Sequence, residues 1–124
     1  MGIHSVHHVQ LAFPAGAEGQ IRHFYRRLLG LPEVPRPAGS TLHFAAGPQR
    51  IDLVPTESWQ AAPAVSHLAF EVDDLPALRG RLQQAELALV ENRALPGYLR
   101  FYVKDPAGNQ LEFLEPDTEQ GDAT

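Results

Sequence analysis

Apolar and polar residues alternate from Val6 to Phe13, with Val9, Leu11 and Phe13 on one face and His8, Gln10 and Ala12 on the other, so a strand is predicted there. After a loop over Pro14–Gly19 the period changes. Ile21, Phe24, Tyr25, Leu28 and Leu29 form a helical stripe, and Gly30 supplies its left-handed stop. Three prolines between Leu31 and Gly39 leave room only for a short edge strand. Thr41–Ala45 and Gln49–Pro55 read as a hairpin around Ala46-Gly47-Pro48.

A linker, Thr56–Ala64, precedes a second cycle of the same pattern. Val65–Val72 is a predicted strand with Leu68, Phe70 and Val72 on one face and His67, Ala69 and Glu71 on the other. Asp74 caps a helix running to about Glu86, with Leu75, Leu78 and Leu82 inward and Gly80 weakening it by roughly 1 kcal/mol relative to alanine. Strands are expected near Leu87–Asn92, Tyr98–Lys104 and Asn109–Glu115. Asp105-Pro106-Ala107-Gly108 fits a turn with proline second and glycine fourth.

The two cycles also match in wording. His8 and His67 lie 59 positions apart in the phrases Val6-His7-His8-Val9 and Val65-Ser66-His67-Leu68. Asp52 and Glu112 lie 60 apart, in Arg50-Ile51-Asp52-Leu53 and Gln110-Leu111-Glu112-Phe113. The chain therefore reads as one strand–helix–three-strand unit written twice. His8, His67, Asp52 and Glu112 share the parity that points away from the helices. If the units pack together, two imidazoles and two carboxylates can meet at a metal site.

Composition narrows this chemistry. Cysteine is absent, so there are no disulfides and any metal must be held by nitrogen and oxygen. The net charge of -5 comes largely from Glu115, Asp117, Glu119 and Asp122, leaving a body near -1. Such a body gives no electrostatic reason to expect nucleic acid or a membrane surface as partner. No apolar run has the length of a membrane span, and the start lacks the pattern of a signal peptide, so a cytoplasmic location is expected. Residues 117–124 read as a frayed acidic tail.

The phrases His8-Val9-Gln10-Leu11, Phe24-Tyr25-Arg26-Arg27-Leu28-Leu29-Gly30-Leu31 and His67-Leu68-Ala69-Phe70-Glu71-Val72-Asp73-Asp74 resemble the vicinal oxygen chelate superfamily. So does Phe101-Tyr102-Val103-Lys104-Asp105-Pro106-Ala107-Gly108-Asn109-Gln110-Leu111-Glu112. That superfamily includes glyoxalase I, extradiol dioxygenases, methylmalonyl-CoA epimerase, fosfomycin-resistance thiol transferases and bleomycin-binding proteins. The resemblance implies an α+β fold: two tandem βαβββ modules, about 3–56 and 64–116, whose curved mixed sheets form an incomplete barrel around a central cavity. It implies that His8, His67 and Glu112 bind a divalent metal (zinc, nickel, manganese or iron), with Asp52 at the position of a fourth, acidic ligand. Glutamate is usual at that fourth position. Aspartate is shorter by one C–C bond, about 1.5 Å, so direct ligation, ligation through water and no ligation all stay open.

Two imidazoles and a carboxylate leave open positions on a metal, where a substrate with two neighbouring oxygens could chelate. The activity implied is that of a glyoxalase-like lyase or isomerase, with Glu112 and Asp52 as candidates for moving a carbon-bound proton. Alternatives are a dioxygenase, a thiol transferase, or a non-catalytic binder of the bleomycin-resistance kind. Gln10, Glu71, Arg100 and Tyr102 are candidate substrate contacts, although Arg100 and Tyr102 could equally form an outward polar strand face. His7 is expected to face away from His8, and His4, His23 and His43 are read as surface residues. The partners expected are a small-molecule substrate and, by resemblance, a second copy in a homodimer.

Overall fold

The alternation in the sequence becomes two small sheets in the computed structural model, which describes residues 2–35, 39–60, 63, 65–91 and 94–118. The chain divides into two compact units, Met1–Ala61 and Ala62–Thr124. Each is α+β.

In the first unit β1 (His8–Pro14) runs parallel to β3 (Gln49–Thr56), and β3 pairs antiparallel with β2 (Leu42–Ala46). The order is β1-β3-β2, so β3 is central. Gly47-Pro48 joins β2 to β3, with Gly47 at φ 59°, the positive value a two-residue hairpin turn asks of its first central residue. One face of the sheet presents Phe13, Leu42, Phe44, Ile51 and Leu53, all buried. The helix α1 (Glu18–Arg22) continues as a wider π-helical turn, His23–Leu28, and brings Ile21, Phe24 and Tyr25 to the core. Tyr25 stacks on Phe44 with ring centroids 5.5 Å apart.

That π turn is a departure from the regular helix expected. Leu29 N–H donates to the carbonyl of Phe24, five residues back, and Leu28 and Leu29 end half-buried. The edge strand expected before Gly39 is reduced to a bridge between Glu33 and Phe44, while residues 36–38 lie outside the described residues.

The second unit repeats the topology. β4 (His67–Glu71) is parallel to β6 (Gln110–Pro116), which pairs antiparallel with β5 (Tyr98–Lys104), in the order β4-β6-β5. The helix α2 (Leu75–Gln84) lays Leu75, Leu78 and Leu82 in the core, which also holds Phe101, Leu111 and Phe113. Its start is fixed twice. Asp74 accepts from Ala77 N–H at 3.3 Å, and Glu115 of β6 accepts from the N–H groups of Asp74 (2.6 Å) and Leu75 (3.2 Å). The turn after β5 is closed by buried Asp105, whose carboxylate accepts from Ala107 N–H, Asn109 N–H and the Asn109 side chain, each at 2.9 Å.

The strand expected over Leu87–Asn92 is not formed among the described residues. Val90 alone bridges to Tyr102, by two backbone hydrogen bonds of 2.9 Å, and Asn92 lies outside the described residues. Each sheet therefore has three strands and is open, not closed into a barrel. No helix among the described residues is long and apolar enough to cross a membrane.

Candidate functional site: a histidine and a buried carboxylate in each unit

Register places the four repeated residues equivalently. In the first unit His8 pairs with Arg50, and Asp52 sits between Gln10 and His43. In the second, His67 pairs with Gln110, and Glu112 sits between Ala69 and Tyr102. In both, the acid follows the residue opposite the histidine by two positions on the central strand, so histidine and acid share the face turned away from the helix. Central placement also explains burial: Asp52 is 4% exposed and Glu112 5%.

The second unit brings its pair into contact. His67 Nε2 lies 2.9 Å from Glu112 Oε1, and Arg100 donates from Nη1 to Glu112 Oε2 at 3.3 Å. Arg100 also lies over the Tyr102 ring, 5.3 Å from its centroid, and the His67 and Tyr102 rings meet edge to face at 5.5 Å. His67, Arg100, Tyr102 and Glu112 thus form one cluster, and Arg100 and Tyr102 do not form a detached outward face. Glu71 is exposed and lies further along β4, opposite Leu114. It lines a separate open pocket of about 520 Å³.

The first unit arranges the same residue types differently. Arg50 grips Asp52 through both oxygens, Nε to Oδ1 at 2.7 Å and Nη2 to Oδ2 at 3.0 Å. His43 Nε2 stands 3.8 Å from Asp52 Oδ1. Burial pushes the Asp52 carboxyl toward its neutral form. No single partner cancels this, but the Arg50 hydrogen bonds and the charges of His43, Arg50 and His8 together exceed it and hold the carboxyl below its ordinary value. Arg50 is shifted the other way by the hydrogen bonds to Asp52, further above its ordinary value. Gln10 is exposed, directly across β1 from Asp52.

Two histidines stand elsewhere than the sequence leads one to expect. His43 is not a bystander on the surface, because the hairpin places it opposite Asp52. The two-residue turn and the inward Leu42 and Phe44 were the available signal for this. His7 does not point away from His8. Its Nδ1 is 2.9 Å from His8 Nδ1, since β1 begins only at His8 and strand alternation does not bind the residue before it.

The donor chemistry of the second unit suits a divalent cation. Two ligand atoms about 2.1 Å from one ion and at right angles are about 3.0 Å apart, close to the 2.9 Å between His67 Nε2 and Glu112 Oε1. His67 Nδ1 lies 3.3 Å from the Val65 carbonyl. With its proton donated there, Nε2 turns a lone pair toward Glu112, an arrangement that a cation or a second proton satisfies. Among the described residues, no group of three or more histidine, aspartate or glutamate side chains is assembled to hold a metal ion.

Two βαββ units, each with a histidine and an acid on the sheet face turned from its helix, define a class. The sequence profile of the Glyoxalase/Bleomycin resistance protein/Dioxygenase superfamily matches residues 5–113, and the chain belongs to that superfamily. A Bacillus anthracis crystal structure described as a glyoxalase family protein is 31% identical, with a TM-score of 0.87 over 94% of this chain and 98% of that one. A lactoylglutathione lyase from Agrobacterium tumefaciens is 25% identical, with a TM-score of 0.71 over 90% of this chain and 92% of that one. The antibiotic-binding protein TnmS3 from Streptomyces sp. CB03234, at 22% identity and a TM-score of 0.73, covers 94% of this chain and 99% of its own, and shares the fold. No curated protein matches the chain.

Proposed function

We propose that the protein is a metal-dependent enzyme of glyoxalase type, a lyase or isomerase acting on a small molecule with two neighbouring oxygens. The observation that carries this reading is the His67–Glu112 pair, a buried carboxylate and an imidazole set at cis-ligand spacing. His8, repeated at the same register in the first unit, is the third ligand, and three ligands suffice, because Asp52 has both its oxygens gripped by Arg50. The ion is zinc, nickel, manganese or iron, which such nitrogen and oxygen donors accept alike. When bound, it supplies Lewis-acid stabilisation of the oxyanion that develops as the substrate loses a carbon-bound proton.

The chain's own groups supply the rest. Glu112 is the candidate to accept and return that proton, and its buried position on a central strand keeps water from competing for it. Arg100 steadies Glu112 through one oxygen, and Tyr102 walls the His67 ring. Gln10 and Glu71, both exposed on the same strand faces as the histidines, are candidates to orient substrate. A homodimer in the cytoplasm completes the proposal, with His8 supplied by the same chain or by its partner.

The test is metal analysis of protein prepared without chelators, beside Glu112→Gln. Near-stoichiometric metal that is lost in the variant supports the reading. Wild type that takes up no divalent ion ends it.

A further inference from the structure

The Arg50–Asp52 fork distinguishes the first unit from the second, where glutamine stands at the position equivalent to Arg50. A guanidinium has five N–H donors, and the fork uses two, on Nε and Nη2. Among the described residues the other three have no protein acceptor. The side chain is 32% exposed. Its cross-strand neighbours are His8 on one side and Ala45 on the other, and alanine is too small to cover it. Arg100 differs, since it is engaged by Glu112, by the Ala94 carbonyl and by the Tyr102 ring.

From this we infer that Asp52 serves as the holder of Arg50, and that Arg50 so held recognises a carboxylate on the substrate. This deepens the proposed function, on which it rests for the identity of the site. Both Asp52 oxygens already face a cationic fork within 3.0 Å, so a metal ion approaching them meets the guanidinium's charge. A guanidinium fixed in advance loses little rotamer freedom when it binds a second anion, and its planar edge suits two carboxylate oxygens. The substrate class is therefore a carboxylate-bearing compound with neighbouring oxygens, in preference to a neutral diketone or diol.

The anion arm of the test uses metal-free full-length protein with ¹⁵N-labelled arginine, titrated with succinate and, separately, with uncharged succinamide. The expected result is a saturable shift of the Arg50 Nε–H resonance with succinate only. Arg50→Gln should weaken succinate binding about tenfold, and Arg50→Lys, which keeps the charge but not the fork, should restore only part of it. An Arg50 resonance unmoved by succinate in the wild type, or moved equally by succinamide, overturns the inference without recourse to any variant. Metal content reads the proposed function separately. Protein that binds succinate at Arg50 but takes up no metal fails that reading and keeps this one, and protein that loads metal but ignores succinate does the reverse. In the metal arm Asp52→Asn should hold as much metal as wild type, and its loss of metal would also overturn the role given to Asp52.

Discussion

His67 and Glu112 stand on neighbouring parallel strands one same-face step out of register, and that offset sets His67 Nε2 2.9 Å from Glu112 Oε1. Neither residue has to leave its strand to make the contact. The same step in the first unit separates His8 from Asp52, but there Arg50, on the acid's own strand, takes the carboxylate.

Removing the negative charge from the second unit should therefore matter more than removing it from the first. Glu112→Gln is expected to lower divalent-metal affinity at least about tenfold, the scale on which metal sites respond even to altered supporting groups. Calorimetric titration of both proteins with zinc checks this. Equal affinities would remove Glu112 from the ligand set.

Acid should expose Asp52. Its folded-state carboxyl lies below the ordinary value, so folding favours the charged form. That contribution is complete from about pH 5 upward, where the unfolded carboxyl is almost wholly ionised, and fades as pH falls through the lower folded-state value. Urea midpoints measured from neutral pH to pH 2 should fall more steeply for wild type than for Asp52→Asn. Parallel acid limbs would show that the fork contributes nothing to stability.

The start of α2 depends on a residue forty positions away in sequence. Glu115→Ala removes the acceptor for the N–H groups of Asp74 and Leu75, and should destabilise the protein by about 1–2 kcal/mol, the usual cost of a lost helix cap. Urea denaturation measures it. Hydrogen exchange should place the extra opening in the first turn of α2, and uniform loss of protection would argue against a local cap.

Leu82 is fully buried. Leu82→Ala should cost about 2–5 kcal/mol through lost burial and the cavity left behind, read from the same denaturation curves. A loss under about 1 kcal/mol would mean that the helix repacks freely over the sheet.

Strand parity made much of this architecture legible in advance. Val9, Leu11 and Phe13 against His8 and Gln10 gave β1 its faces, and Tyr98–Lys104 forms β5 over the expected residues. Local pattern could not reveal how far a strand pairs with its neighbours. Leu87–Val90 carries apolar residues suited to a strand, yet among these only Val90 bridges to a strand, at Tyr102, while Leu87 N–H turns back to the carbonyl of Leu82. The π turn was equally hidden, because Phe24, Tyr25, Leu28 and Leu29 satisfy helical spacing whether the turn is tight or wide. At the site, the paired histidines and acids were visible as repeated words. The partners that set the two acids apart were not, because Arg50 and His43 gain their meaning from hairpin register rather than from repetition.

β6 does two jobs on opposite sides. Glu112 faces away from α2, beside His67, while Glu115, three residues on, faces α2 and holds its first turn. An odd spacing is what lets one strand serve both. Inserting or deleting a single residue between these two glutamates would turn one of them to the wrong side, so the helix would lose its anchor or His67 its carboxylate. A change of length in that short stretch therefore disturbs two roles at once, where exchanging either glutamate disturbs one.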